Sequence, residues 1–268
     1  MLRSVFRAEI WQRRRSLAWW LGSAFVYLVF IGSVYPTIRG NAAQIDQLLE
    51  NYPEVFKVMF GVGEGLLYSS PEGFLHLQVF SFVLPLVLLM FTVGFGARTI
   101  AGEEEAGTLD LLLSSPVARR TVVLHKAAAM VVSTVAVGVA MTLALLLDGP
   151  FFGVGVRFTH LAGAVTSALL LAVFFGAVAI LVGSATGKKV VALGATAGLA
   201  FASYLVFSLA ALAPWLEGAQ RFSPFFYYAE AQPVRNGLDW GHALVLAGLT
   251  VLAVAASVFA FERRDVGT

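Results

Sequence analysis

This chain of 268 residues lacks cysteine and has few charged residues. It contains no cysteine, so structural disulfides are excluded. Charged residues make up only 13% of the chain, about half the fraction of ordinary soluble domains, while hydrophobic residues make up 59%. This balance indicates a lipid bilayer rather than water as the solvent around most of the chain.

Motifs for ATP binding, metal binding and catalysis are missing as well. The nearest approach to a phosphate-binding P-loop, residues 183–189 (GSATGKK), is one residue short of GxxxxGK[ST] and lacks the final Ser or Thr. A GxGxG triplet begins at Gly61, but no strand precedes it, which argues against a nucleotide site. The histidines show no HExxH spacing, and no carboxylate pair or nucleophile with its base falls within an apolar stretch. We therefore predict no catalytic residue, no metal site and no cofactor bound by this chain.

Six apolar stretches are long enough to cross a bilayer, whose hydrocarbon core needs about 20 residues of helix. Helix is required because an open sheet would leave backbone groups unpaired in lipid. Residues 80–95 and 169–182 contain no Asp, Glu, Lys, Arg or His, whereas the surface helices of soluble domains carry a polar face. We predict an all-α membrane protein with one membrane domain, 1–268, and spans at 18–36, 76–101, 122–147, 161–185, 190–212 and 242–261.

The basic residues are distributed unequally between the two sides of these spans. If the N-terminus is cytoplasmic, thirteen of the 18 Lys and Arg residues lie on the cytoplasmic side. The other side holds five: Arg39, Lys57, Arg157, Arg221 and Arg235. The positive-inside rule therefore predicts that both termini are cytoplasmic, with segments 37–75 and 213–241 outside. Because the charge is segregated by face, it implies no nucleic-acid partner.

The N-terminal residues 1–17 form an amphipathic pattern. Phe6 and Ile10 fall on one side of a helix, and Arg7 falls mostly opposite. The pattern favours an interfacial helix along the cytoplasmic membrane surface. A basic tail that only sets orientation stays open as the alternative, because Arg13 lies on the apolar side.

The inner loop, residues 102–121, is the most informative segment. Its three glutamates at 103–105 suit the N-terminus of a helix, residues 108–113 supply an apolar run, and Pro116 ends the helix. Such a helix places three leucines on one face: Leu109, Leu112 and Leu113. That face needs a partner, which is either the chain's own helix ends or another protein.

A family resemblance is carried by this loop. The pattern Glu105-x-Gly107-Thr108-Leu109-x-x-Leu112-Leu113-x-x-Pro116-x-x-Arg119, followed by Lys126, resembles the inner loop of permease subunits of type 2 ABC transporters. The order of an amphipathic N-terminal segment, two spans, this loop and four further spans is also similar. A second similarity, FSPFFYY at 222–228, precedes the last span. The resemblance covers essentially the whole chain.

The resemblance implies a permease whose coupling helix docks on a separate ATPase subunit. In the family, two permease and two ATPase subunits form the transporter, and most prokaryotic members export. For this chain it implies a subunit of an ATP-driven exporter in the plasma (inner) membrane, itself not an enzyme, with ATP and Mg²⁺ on the partner ATPase. The second permease would be identical or homologous, and lipid surrounds the pair. The implied ATPase-coupling residues are Glu103, Glu104, Glu105, Gly107, Thr108, Leu109, Leu112, Leu113, Pro116, Arg119 and Arg120.

The same resemblance places the second and fifth spans beside a central cavity between two permeases. Candidate residues along a substrate path are Gln78, Ser81, Phe82, Pro85, Met90, Ser203, Tyr204, Phe207 and Ser208. Their apolar surroundings favour a lipophilic or amphipathic substrate, as in multidrug or lipid efflux. The GxxxG at 194–198 packs either within the chain or against the second permease, and both interpretations stay open.

Three other functions are less favoured. An intramembrane enzyme would need a catalytic constellation that the sequence lacks. An ion-coupled carrier typically uses ionisable groups in the middle of its spans, which are missing here. Composition allows an ATP-independent channel or membrane-assembly protein, but the amphipathic inner loop argues against it.

Overall fold

The computed structural model describes residues 2–51, 53, 67–109, 117–210 and 212–264. Within this part of the chain every regular element is a helix. In chain order these are α1 (Leu2–Gly40), α2 (Ala42–Glu50), α3 (Pro71–Leu75), a π-helical turn (His76–Phe80), α4 (Val83–Thr99), α5 (Ala101–Glu105), α6 (Arg119–Phe152), α7 (Phe158–Thr186), α8 (Lys189–Ala210), a 3₁₀ turn (Pro214–Leu216), α9 (Glu217–Gln220), α10 (Pro224–Ala229), α11 (Pro233–Asn236) and α12 (Trp240–Arg263).

Six helical runs are long and apolar enough to cross a membrane: α1, α3 through α4, α6, α7, α8 and α12. The predicted all-α membrane fold with six spans is therefore confirmed. Several helices extend past the predicted spans; α6, for example, covers 119–152 where 122–147 was predicted. Hydrocarbon thickness sets how many apolar residues a span needs, but a helix continues into polar flanks until a residue breaks it.

The predicted boundary between an N-terminal helix over 1–17 and a first span over 18–36 is absent. One continuous helix, α1, covers both segments, because no glycine or proline precedes Gly22. Its 39 residues extend about 58 Å at 1.5 Å per residue, well beyond a hydrocarbon core of about 30 Å. The interfacial position of residues 1–17 stays a prediction.

The helix at the centre of the bundle is α7, which packs against α4, α6, α8 and α12. It crosses α4 closely at Gly96, where an added Cβ would lie 2.4 Å from the carbonyl oxygen of Gly176. Small residues let helix backbones approach in lipid, where van der Waals packing holds helices together. This crossing fixes the position of α4 against the core.

The helices at the edge of the bundle are α1 and α8. α1 packs mainly on α6, and α8 packs on α7 and α4. In the most apolar 18-residue stretch of each helix, 17% of the residues are buried in α1 and in α8, whereas 61% are buried in α7. Both edge helices thus present wide apolar faces that the described chain leaves uncovered.

Glu9 of α1, through Lys126, and Arg264, directly after α12, are joined to the glutamates of α5. We call this end of the bundle the terminal end. At the opposite end, α9 to α11 pack onto the spanning helices. The hydroxyl of Tyr228 donates to the carbonyl oxygen of Phe80, and the hydroxyl of Ser223 donates to that of Ser203 at 2.7 Å. Burial raises the pKa of the Tyr228 phenol, which keeps it a donor. These hydrogen bonds fix residues 223–228 to the second and fifth spans, and α11 packs on the fourth span.

Candidate functional site

The inner loop begins with a short helix that ends earlier than predicted. Residues 110–116 lie outside the described residues. The helix predicted from Glu103 to Pro116 is interrupted within the described residues, because α5 ends at Glu105 and Gly107 has a φ of +66°. Glycine reaches this left-handed conformation without a steric penalty, and such a residue commonly ends a helix. The N–H of Gly107 donates to the carbonyl oxygen of Glu104 at 3.0 Å. The glutamates therefore precede a turn and are not continuous with the helical residues Thr108 and Leu109.

After the turn, Thr108 and Leu109 return to helical geometry. The Thr108 hydroxyl donates back to the carbonyl oxygen of Glu103 at 3.1 Å. Leu109 is only 1% exposed and belongs to the core of the bundle. Leu109 therefore packs against the protein's own core and not against another protein. Three further predicted coupling residues lie outside the described residues: Leu112, Leu113 and Pro116.

A buried cluster of four charged residues, here called the ionic cluster, joins α1, α5 and α6. The Lys126 ammonium donates to Glu9 Oε2 at 2.9 Å and to Glu103, while Arg13 Nε donates to Glu9 Oε1 at 2.5 Å. Lys126 is 1% exposed and Glu9 is 3% exposed. Two cations and two carboxylates balance each other, as buried charges require. The ionic cluster therefore connects three helices without a net charge.

The other two glutamates of α5 contact two further helices. Glu104 forms an ion pair with Arg264, which directly follows α12. Glu105 Oε1 accepts the backbone N–H of Lys189, the first residue of α8, at 2.8 Å. A carboxylate at a helix N-terminus satisfies a free N–H and interacts favourably with the helix dipole. Through its three glutamates, α5 is bound to the terminal ends of α1, α6, α8 and α12.

Two arginines complete this arrangement. Arg119 Nη1 donates to the carbonyl oxygens of Phe261 and Arg264, the former at 3.2 Å. Arg264 Nη1 donates to the last turn of α7, at 2.9 Å from the carbonyl oxygen of Ser184. Cations at helix C-termini satisfy free carbonyl groups. Of the predicted pair, Arg119 contacts the chain itself, whereas Arg120 is exposed.

Sequence reasoning missed Glu9 and Arg264, and it noted Lys126 only as part of a pattern. One signal was available for Glu9, since it is the single acidic residue among residues 1–45. A lone carboxylate in a basic segment often has a buried cation as its partner. Nothing in the sequence pointed to that cation, which lies 117 residues further along the chain.

A cavity of about 460 Å³ lies between α4 and α8. Most of its described lining is apolar and includes no charged residue. Among the described lining residues, Ser81 and Tyr204 supply the only hydroxyl groups, and the Ser81 hydroxyl donates to the carbonyl oxygen of His76 at 2.6 Å. Such a surface suits an apolar ligand. Five of the residues predicted along a substrate path line this cavity: Ser81, Phe82, Pro85, Met90 and Tyr204.

The other predicted path residues lie elsewhere. The Gln78 amide donates to the Tyr68 hydroxyl, the carbonyl of Ser203 accepts from Ser223, and Phe207 lines a separate space of about 30 Å³ toward the opposite end. Gln78 belongs to the π-helical turn that precedes α4. Because a π-helix departs from 3.6 residues per turn, the face that Gln78 occupies does not continue regularly into α4.

The GxxxG face of α8 is open. A Cβ added at Gly194 or Gly198 would meet no described atom within 4 Å. On the same helix, Val190 is 76% exposed and Phe201 63% exposed. Within the described chain, therefore, no residue packs against this glycine pair.

The P-loop-like residues 183–189 form the junction of two helices. α7 continues to Thr186, Gly187 turns with a φ of +66°, and α8 begins at Lys189. A phosphate-binding P-loop instead follows a strand and exposes successive backbone N–H groups. Among the described residues, no group of three His, Asp or Glu side chains is placed to hold a metal ion.

Comparison with known proteins gives a family. A family model described as ABC-2 family transporter protein matches residues 3–266. The probable ABC transporter permease protein NosY of Stutzerimonas stutzeri is 31% identical over 150 residues, which are 54% of this chain and 52% of NosY. The match thus spans about half the length of this curated relative. Because the family match covers nearly the whole chain and six helices are apolar enough to cross a bilayer, the protein is a multi-pass membrane protein that belongs to the ABC-2 transporter family.

Proposed function

We propose that this permease is the membrane subunit of an ATP-driven exporter and that its energy comes from a separate ATPase bound at the terminal end. The observation that supports this proposal is the binding of α5 to four helix ends. α5 follows α4 after a single residue, and its Glu105 holds the first N–H of α8. A movement imposed on the inner loop would therefore reach both helices that border the cavity.

The ATPase-docking surface is smaller than the sequence alone suggested. Among the described members of the predicted set, Glu105, Gly107, Thr108 and Arg120 are exposed. Glu103 belongs to the ionic cluster and Leu109 to the core, so both act by holding the loop in place. In this proposal the terminal end is cytoplasmic, and ATP and Mg²⁺ are bound by two ATPase copies.

The proposed substrate is lipophilic or amphipathic, such as a drug or a lipid. The cavity between α4 and α8 has the volume of a small-molecule site and lacks charged groups. Its outer side is bordered by exposed apolar residues of α4 and α8, including Met90 and Phe201. Lipid or a second subunit would complete it there, which suits a substrate that enters from the membrane.

A second permease, identical or homologous, would pack on the open face of α8. Gly194 and Gly198 would let the backbone of a partner helix approach closely. Disulfide cross-linking tests this directly, because the chain has no cysteine of its own. In native membranes, Gly198→Cys should form a cross-linked permease pair. Val251→Cys, on the exposed face of α12, should not. Equal cross-linking of both variants would exclude this face as the specific interface.

Association with an ATPase is tested by purification from native membranes in mild detergent. We expect the wild-type chain to carry a P-loop ATPase, and Arg120→Glu to reduce its recovery. Arg157→Glu is the matched control, because it is also exposed beside a helix start but lies at the opposite end. Recovery of a stable wild-type chain without any P-loop protein would contradict the proposal. It would favour the ATP-independent channel or membrane-assembly protein.

A further inference from the structure

Asp148 is a carboxyl group buried within a membrane-spanning helix. It lies four residues before the end of α6 and is 1% exposed. Neither side-chain oxygen has a hydrogen-bond partner among the described residues, and no described cation forms an ion pair with it. Its backbone carbonyl, by contrast, accepts the N–H of Val154 at 3.3 Å. The backbone carbonyl of Asp148 thus has a hydrogen-bond partner, whereas its carboxyl oxygens have none among the described residues.

The side chain of Asp148 lies directly against α1 at Gly32. A Cβ added to Gly32 would lie 2.3 Å from Cγ of Asp148 and 2.5 Å from each carboxyl oxygen. Only a residue without a side chain leaves room for the carboxyl group here. Since α1 packs mainly on α6, this contact is part of the principal attachment of α1 to the bundle.

The charged and titratable groups of the neighbouring turns of α1 are engaged elsewhere. Tyr35 is buried, and its hydroxyl donates to the carbonyl oxygen of Ser69 at 2.9 Å. Arg39 is exposed, and its guanidinium lies beside Gly153, where an added Cβ would be 3.8 Å from Nη1. Neither side chain compensates a negative charge on Asp148.

An ionised carboxylate in such a place would be costly, because an unpaired charge buried away from water loses its hydration without replacement. A protonated carboxyl group avoids this cost and gains an O–H donor. Backbone carbonyls of a helix retain a second lone pair that can accept such a donor. We propose that Asp148 is a proton-binding site, and that its neutral carboxyl group joins α6 to α1 at Gly32.

This proton site is independent of the ATPase-coupling proposal, which uses residues at the terminal end. It adds a ligand, the proton, whose occupancy is linked to the position of α1. While α1 lies on α6, the carboxyl group keeps its proton. If α1 moved away and water reached Asp148, the proton would leave, and the resulting charge would oppose the return of α1.

Carboxyl-carbon NMR of protein labelled only at its aspartates tests the proposal in membranes at neutral pH. The chain has five aspartates, so few signals arise. We expect one signal at the position of a neutral acid and its loss in Asp148→Asn. Asp239→Asn is the control, because Asp239 is exposed and accepts the N–H of His242 at 2.8 Å, so this change should leave the neutral-acid signal in place. Only ionised signals in the wild-type chain, or a neutral signal that survives Asp148→Asn, would overturn the proposal.

Two further variants separate protonation from space filling. Asp148→Asn is neutral and of the same size, so its thermal midpoint should stay near that of the wild type, whereas Asp148→Lys should lower it strongly. Gly32→Ala should displace the carboxyl group and abolish the neutral-acid signal. If Gly32→Ala left that signal unchanged, the neutral acid would not be the one that contacts α1.

Discussion

The terminal end of the bundle and the cavity between α4 and α8 are built from opposite chemistry. At the terminal end, each glutamate of α5 has a cation or a helix N-terminus as its partner. In the cavity, the polar side chains of the lining are two hydroxyl groups. Ion pairs and hydrogen bonds fix geometry, whereas an apolar surface accepts ligands by shape. In the proposed function, the polar region transmits movement and the apolar region receives the substrate, with α4 connecting the two.

The largest expected effect comes from Lys126→Met. Removal of this ammonium leaves half-buried Glu103 without its cation and leaves the buried carboxylate of Glu9 with Arg13 alone, which should cost on the order of 3–5 kcal/mol of stability. Thermal unfolding of the detergent-purified protein measures the loss. Lys188→Met, at an exposed position, serves as the control and should change little.

A double variant sharpens the Lys126 result. Glu103→Gln, added to Lys126→Met, removes the carboxylate that lost its cation and keeps the pair of Glu9 with Arg13, so it should restore much of the stability. If Lys126→Met alone were as stable as Lys188→Met, the ionic cluster would not stabilise the packing of α1, α5 and α6.

A matched pair of glycine substitutions on α4 distinguishes core from cavity. Gly96→Val places atoms against the Gly176 carbonyl and should cost about 1–3 kcal/mol. At Gly94, two residues earlier and in the cavity lining, an added Cβ would meet no described atom within 4 Å, so Gly94→Val places its methyl groups toward the cavity. It should leave thermal stability nearly unchanged while it reduces ATP hydrolysis stimulated by lipophilic compounds. If Gly94→Val lowered thermal stability but left the stimulation unchanged, the substrate would bind away from this cavity.

The smallest effects are expected within the lining itself. Phe82→Ala removes apolar contact area. It should raise the concentration of a lipophilic compound that gives half-maximal stimulation of ATP hydrolysis about 5- to 30-fold, which corresponds to about 1–2 kcal/mol of binding free energy. Ser81→Ala should change it little, because that hydroxyl already donates to the carbonyl oxygen of His76 in the preceding π-helical turn. A larger effect from Ser81→Ala than from Phe82→Ala would contradict an apolar mode of binding.

The sequence predicted the six spans well because each is apolar on every side. It could not predict which spans are central, since lipid and protein interior are equally apolar. α7 and α8 show this limit, for both are apolar throughout, yet α7 is the core and α8 the edge. Their difference depends on close crossings such as Gly96 on Gly176, which only tertiary structure reveals.

For the candidate site, local signals were partly misread and distant ones were invisible. Gly107 carried a helix-ending signal, but the acidic run before it was interpreted as the start of the next helix. Leu109 was identified as part of an apolar face, and the structure shows that the bundle buries it. The pairing of Glu9 with Lys126 depends on the packing of α1 against α6, which no local pattern encodes.

The central claim is that ATP on a partner subunit rearranges the cavity between α4 and α8. Spin labels at Leu86→Cys and Phe201→Cys, which both line it, report the distance across the cavity in a chain without other cysteines. The measurement uses the complex with its ATPase in lipid vesicles, with labelled permease diluted by unlabelled permease. The account predicts that the distance distribution shifts when ATP is trapped on the ATPase. An unchanged distribution in a complex that hydrolyses ATP would contradict it.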